Sequence, residues 1–174
     1  HNPFTDGGRE LFDCAAQGRI DAFFLSGVQI DRQANTNLLG FGKPPAMDRR
    51  FLGNFGAPYL SSLVRNLILF RTDHNPKTLV EKVDFITAPG TDGRWLLTNR
   101  CLMRRKNGRL VLESLHPGET FESVQAATGF VLDRPADLRM TEPPDADTEA
   151  AIQGPIAAMV AEIYPRFGDT LRHA

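Results

Sequence analysis

Ala22-Phe23-Phe24-Leu25-Ser26-Gly27-Val28-Gln29-Ile30-Asp31-Arg32-Gln33-Ala34-Asn35-Thr36-Asn37-Leu38-Leu39-Gly40-Phe41-Gly42 is the stretch whose reading decides the fold. Its first four residues form an apolar run with no polar break. Such a run predicts a short strand buried on both faces, as in a parallel sheet covered by helices. The chemistry then changes, with Gln29, Asp31, Asn35 and Asn37 at near-alternate positions after Gly27. A buried strand that opens at its C-terminal end into glycine, amide and carboxylate groups is where open α/β sheets place ligands. An Asx-rich turn gives the same residue pattern through local hydrogen bonds, so the residues alone leave both readings open.

Working outward, the chain has 174 residues, is 41% hydrophobic and carries a formal net charge of -1. That length and composition allow one domain with a real core, here taken as 1–174. The charge balance gives no electrostatic footprint for nucleic acid. Cys14 and Cys101 lack the spacing of a metal site or a disulfide framework and are expected as small buried residues in a reducing, cytoplasmic setting. No apolar run approaches the roughly 20 residues of a membrane span, and no signal peptide is visible. The opening His1-Asn2-Pro3-Phe4-Thr5 has no Met and reads like the middle of a longer protein.

Local signals predict the remaining elements. Asp6 caps a helix through Gln17, stopped by Gly18, with Leu11, Cys14, Ala15 and Phe12 as its packing stripe. Lys43-Pro44-Pro45 is a loop. Gly53-Asn54-Phe55-Gly56 leads into a helix with Pro58 in its first turn, and its free backbone N–H groups suit an anion or an oxyanion, although a tight turn reads the same way. Leu67–Phe70 and Val83–Thr87 read as two further strands. His74, in a polar loop beside Asp73, reads as a solvated or hydrogen-bonded residue rather than a catalytic one, since no Ser, Cys or metal-spaced partner points to it. Residues 94–104 and 109–114 form an antiparallel hairpin around Lys106-Asn107-Gly108, with Leu110 and Leu112 on one face. Arg104-Arg105-Lys106 reads as a solvated edge, with a clamp for phosphates as the lesser alternative. Thr120 caps a helix stopped by Gly129, and Phe130–Leu132 is strand-like. Residues 134–147 are an exposed connection to a C-terminal helix. There Ile152, Ile156, Met159, Val160 and Ile163 form a packing stripe, kinked at Gly154-Pro155.

The stretch Gln29-Ile30-Asp31-Arg32-Gln33-Ala34-Asn35-Thr36-Asn37 resembles the Gln-Val-Asp-x-x-Gly-Asn-x-Asn signature of the beta-type subunit of family I coenzyme A-transferases, the glutaconate CoA-transferase branch above all. Gly53–Ala57, Glu81–Gly90, and Leu115–Gly118 with Val124–Phe130 resemble that family's later motifs in the same order. The resemblance runs from about Gly8 to Phe130. It implies an α/β fold of the CoA-transferase kind: a mainly parallel, Rossmann-like sheet flanked by helices and extended by the antiparallel hairpin. It also implies an N-terminal strand and helix before this point, which would be missing here.

The same resemblance implies a function. A beta subunit would pair with an alpha-type subunit, as a pair that doubles into a heterotetramer, and act on an acyl-CoA thioester and a small carboxylic acid, without a metal. Gln29, Asp31, Asn35 and Asn37 would line the pocket, orienting substrate carbonyls or holding the loop, and the Gly53 and Gly56 segment would present N–H groups to the thioester oxygen. Phe55 stands where the family has a glycine. Ala34 replaces another, and a positive φ there would strain it. The family's nucleophile is a Glu in a Glu-Ser-Gly-like motif, which this chain lacks, so no residue takes that role. Two alternatives stand beside transferase chemistry: a CoA-dependent ring-opening hydrolase whose working Glu lies on the alpha partner, and a non-catalytic subunit that binds a partner or an acyl-CoA.

Overall fold

The computed structural model describes residues 6–173, so the reading of His1–Thr5 lies outside the described residues. The chain falls into two compact units, the first running to Thr141 and the second beginning at Glu142. In chain order the first unit contains α1 (Gly7–Ala16), β1 (Ala22–Leu25), β2 (Gln29–Asp31), β3 (Thr36–Asn37), β4 (Gly40–Gly42) and β5 (Met47–Arg50). It continues with α2 (Ala57–Leu63), β6 (Asn66–Arg71), β7 (Leu79–Val80), β8 (Trp95–Thr98), β9 (Cys101–Lys106), β10 (Arg109–Leu115), α3 (Phe121–Ala127) and β11 (Arg139–Met140).

The main sheet has the order β1-β6-β8-β9-β10-β11. The pairs β1–β6, β6–β8 and β10–β11 are parallel, while β8–β9 and β9–β10 are antiparallel. This is the expected α/β arrangement of a mainly parallel sheet extended by a hairpin. The register lines up Leu25, Leu69, Leu96, Met103 and Leu112 across one face. All five are buried, and each such side chain contributes about 1.5–3 kcal/mol by leaving water. Ala34, Ala57, Ala88, Val124 and Phe130 belong to the same core. A smaller cluster, Ala15, Leu60 and Val64, packs with Leu11 and Phe12 of α1.

The opposite face corrects the expectation of a central strand buried on both sides. β1 is at the sheet edge, and Phe24 is 59% exposed. Phe24 meets Phe70 edge to face at 6.4 Å, and Leu97 pairs with Phe70 in register, so this face is apolar and open to solvent. An apolar run reports only that a strand is present. Here the register puts alternate residues on an uncovered side.

Other differences have local causes. Val83–Thr87 is not a strand: its Asp84 N–H goes to the Gln29 side chain and its Thr87 N–H to the Thr36 carbonyl. The shorter β7 pairs in parallel with β2 instead. Phe130–Leu132 likewise forms no strand; Gln125 takes the Leu132 N–H and donates to the Phe130 carbonyl. The 94–104 segment turns back at Asn99-Arg100, giving two strands in place of one. Arg104-Arg105-Lys106 is in an internal strand rather than at an edge: Arg104 stacks on Trp95, Arg105 pairs with Asp92 and Lys106 with Glu113. Within 134–147, mostly exposed, β11 adds a short parallel pairing to β10.

The helices follow their caps. Asp6 accepts from Arg9 N, and Thr120 and Ser123 form a reciprocal capping box on α3. In the second unit, α4 (Ala146–Ala151) and α5 (Ala157–Ala161) are joined by a π-helical turn over Ile152–Ile156 that contains Pro155. The disturbance falls at the expected kink, because Pro155 cannot donate to the helical ladder. A further helix, α6 (Pro165–Arg172), follows. Ile156, Met159 and Ile163 are exposed, so the stripe read as packing is largely uncovered among the described residues.

Candidate functional site

The Gln29–Asn37 motif folds as a miniature hairpin, with Gln29 opposite Asn37 and Ile30 opposite Thr36. The turn Asp31-Arg32-Gln33-Ala34 closes through Ala34 N to Asp31 O at 2.8 Å. Asp31 is 1% exposed, and its carboxylate accepts from the backbone of Gln33 and Asn35, both at 2.9 Å, and from the Asn35 amide at 3.0 Å. Asn35 in turn accepts from Gly90 N at 2.9 Å. A Cβ at Gly90 would overlap the Gln33 carbonyl, so glycine is needed for that approach. Ala34 has φ 60, the left-handed conformation its departure from glycine put in question.

Asn37 and Gln29 complete the network. The Asn37 amide donates to Gln29 Oε1 at 2.8 Å and to Gly40 O at 2.7 Å, and its oxygen accepts from Leu39 N at 2.9 Å. Gln29 Oε1 also accepts from Asp84 N at 3.0 Å, and Asp84 Oδ2 accepts from Gly42 N at 3.0 Å. Gln29, Asp31, Asn35 and Asn37 are therefore brought together, all buried, with their polar atoms directed at one another and at backbone. Of the two roles open to them, this geometry performs the holding of the loop.

Gly53 and Gly56 lie elsewhere, in the segment entering α2. Gly56 caps that helix at φ 67, and a Cβ there would run into the Phe12 ring. Phe55 is largely exposed and stacks on Phe12 at 5.7 Å, so it covers α1.

His74 is buried and sits at a junction of three elements. Its Nδ1 is 2.9 Å from Thr98 Oγ1 and its Nε2 is 2.8 Å from Thr128 Oγ1. The Thr128 hydroxyl donates to Val124 O at 2.7 Å, so it accepts from His74, which assigns the ring proton to Nε2. Burial, with the Arg100 charge nearby, lowers the His74 pKa to about 4. Burial also pushes the neighbouring Cys101 thiol up to about 11, which leaves it an inert thiol. Glu119 pairs with Arg100 at 3.0 Å, and the Ser123 hydroxyl at 2.6 Å is the main cause that holds it below the usual carboxylate range.

Arg94 carries a role that no sequence pattern signals. It is 7% exposed and donates to the carbonyls of Ser61 (2.8 Å) and Pro89, joining the end of α2 to the turn before β8. Nothing in the sequence separates it from the other arginines. Among the described residues, no group of three or more His, Cys, Asp or Glu could hold a metal ion, and no helix is long and apolar enough to cross a membrane.

Comparison with known proteins places this geometry. No family model matches the chain. It is 30% identical to the beta subunit of 3-oxoadipate CoA-transferase from Pseudomonas knackmussii over 145 residues, 73% of this chain and 55% of that protein. It is 27% identical to the beta subunit of glutaconate CoA-transferase from Acidaminococcus fermentans over 128 residues, 63% of this chain and 47% of that protein. The chain thus spans about half the length of these curated relatives. Among solved structures, the decarboxylase AibA/AibB superposes with TM-score 0.79 at 27% identity, covering 83% of this chain and 61% of that one. IpdAB of Rhodococcus jostii RHA1 gives 0.77 at 25%, covering 84% and 64%. Glutaconate CoA-transferase of Acidaminococcus fermentans gives 0.70 at 24%, covering 84% and 62%, a likeness of fold.

The chain has the α/β fold of the CoA-transferase class. Within that class it belongs with the beta-type subunits, the kind found in the 3-oxoadipate and glutaconate enzymes.

Proposed function

We propose that this chain supplies the beta-type part of a heteromeric CoA-transferase-like enzyme, which works with an alpha-type subunit on an acyl-CoA thioester and a small carboxylic acid. The observation that carries the reading is the match to the beta subunit of 3-oxoadipate CoA-transferase over 145 residues. Gln29, Asp31, Asn35 and Asn37 act as the buried frame of the substrate side, holding the 31–35 turn rigid while Arg32 and Gln33 face outward. Gly53 and Gly56 belong to the substrate-binding segment ahead of α2. Covalent CoA transfer needs a carboxylate that attacks the thioester carbonyl and expels CoA as the thiolate, with donors for the developing oxyanion. Glu113, Glu119 and Glu122 are engaged with Lys106, Arg100 and Arg134, and no residue of this chain is assigned that attack. With Cys14 and Cys101 both unpaired, we place the enzyme in a reducing, cytoplasmic compartment.

A second reading is favoured by the AibA/AibB similarity, because that neighbour is a decarboxylase on the same fold. In that reading the assembly cleaves a C–C bond of a CoA-linked substrate and transfers no CoA. The test is co-expression with a candidate alpha-type subunit, followed by assay of CoA exchange between an acyl-CoA and a free acid. A stoichiometric complex with exchange supports transfer. A complex that breaks the carbon chain without exchange supports the second reading. A chain that captures no partner and exchanges no CoA overturns both.

A further inference from the structure

A cavity of about 490 Å³ lies on the outer side of the 31–35 turn, where three separate segments converge and each brings one cation. Arg32 comes from the turn, Lys82 from the segment after β7, and Arg109 from the start of β10. These residues are far apart in sequence, which is why no basic cluster is visible there. Glu81 stands in the same wall, leaving a formal excess of two positive charges, and Gln33 and Asn107 supply amides.

The cations are available. Among the described residues neither Arg32 nor Lys82 has an ion-pair partner or a side-chain hydrogen bond. Arg109 pairs with Asp133 at 2.9 Å, with both side chains about half exposed; such a pair is worth little and yields readily to a stronger partner. The backbone beneath them is fixed. Asp31 accepts from Gln33 N at 2.9 Å and from Val83 N at 3.4 Å, so one carboxylate positions the segments carrying Arg32 and Lys82. Leu110 N donates to Arg32 O at 2.7 Å, which ties in the hairpin that carries Arg109.

We infer that this cavity binds a phosphate or diphosphate group, held by Arg32, Lys82 and Arg109. Its charged and amide walls offer nothing to an acyl chain, whereas a phosphate's oxygens match ammonium and guanidinium donors. The volume is within the range of sites that take whole small ligands, and Glu81 can accept from a hydroxyl or amino group of the remainder. The assignment rests on the proposed function only for the source of the phosphate, which that reading supplies as the CoA moiety. Free inorganic pyrophosphate carries the same chemistry without it.

Calorimetric titration of the full chain with pyrophosphate, CoA and phosphate-free pantetheine tests this. The expected result is that pyrophosphate and CoA bind and compete, pantetheine does not compete, and rising salt weakens both. Arg32→Ser and Lys82→Ala should each weaken binding about tenfold with unchanged melting temperature, since neither side chain has a protein partner to lose. Pyrophosphate binding that depends on both cations while CoA is excluded would uphold the phosphate site and count against the CoA reading. Absence of pyrophosphate binding at low ionic strength, or binding equal to wild type in both variants, would overturn the inference.

Discussion

Asn35 holds Asp31 twice: its backbone N–H donates to one carboxylate oxygen at 2.9 Å and its side-chain amide to the other at 3.0 Å. A buried carboxylate so satisfied stabilises the turn, and removing it leaves donors stranded. Asp31→Ala should cost about 3 kcal/mol, since each lost charge-assisted bond is worth roughly 1.5–3 kcal/mol with partial relaxation. Urea denaturation measures it, and an unchanged midpoint would show that Asp31 does not frame the site.

Ala34 sets two small effects against each other. Relieving the left-handed conformation at φ 60 gains about 1–2 kcal/mol. Losing a fully buried methyl costs about 0.8 kcal/mol. Ala34→Gly should therefore be neutral or stabilising by up to about 1 kcal/mol, whereas the β-branched Ala34→Val should be strongly destabilising. Thermal melts compare the three proteins; a clear loss in the glycine variant would mean that packing of the methyl outweighs strain.

His74 makes stability depend on pH. Its folded pKa, about 4, lies below the ordinary 6.5, so the unfolded chain binds more protons between these values and stability rises with pH. The contribution is complete above about 6.5, declines as pH falls towards about 4, and is at most about 3 kcal/mol, from about 1.4 kcal/mol per pH unit of separation. Urea midpoints at several pH values for wild type and His74→Gln isolate the effect from that of the carboxylates. Parallel curves for the two proteins would contradict it.

Arg94 has carbonyl partners and no ion-pair partner among the described residues. Arg94→Ala would leave the Ser61 and Pro89 carbonyls unmet and open a void, at a cost of about 2–4 kcal/mol. Arg94→Lys should recover only part of this, because one ammonium does not reproduce a fork that spans two carbonyls. Denaturant midpoints of the two variants provide the check, and full recovery by lysine would show that charge alone matters.

Legibility in the sequence followed the range of the interactions. The caps at Asp6 and Thr120, the Asn107-Gly108 turn and the inward pair Leu110 and Leu112 are set within a few residues, and all are present as expected. The clustering of Gln29, Asp31, Asn35 and Asn37 is also visible, because the motif folds on itself. Strand order is not: Phe24 has the composition of a buried residue, and only pairing with β6 puts it on the open face. Val83–Thr87 has the composition of a strand, yet its partners are groups of the small hairpin rather than a neighbouring strand. Arg32, Lys82 and Arg109 meet only through tertiary structure, so no local pattern could announce them.

The pairing of Ala22 with Asn66 has a consequence for time order. The β9–β10 hairpin closes across a two-residue turn and can form within microseconds. Strand β1 reaches β6 only after both small hairpins and α2 have been traversed, and it bears the entropy of closing that long loop. It also has just one neighbour. β1 should thus be the last strand secured as the chain folds and the first to detach, with the amides of Phe23 and Leu25 gaining exchange protection after those of Met103 and Leu112.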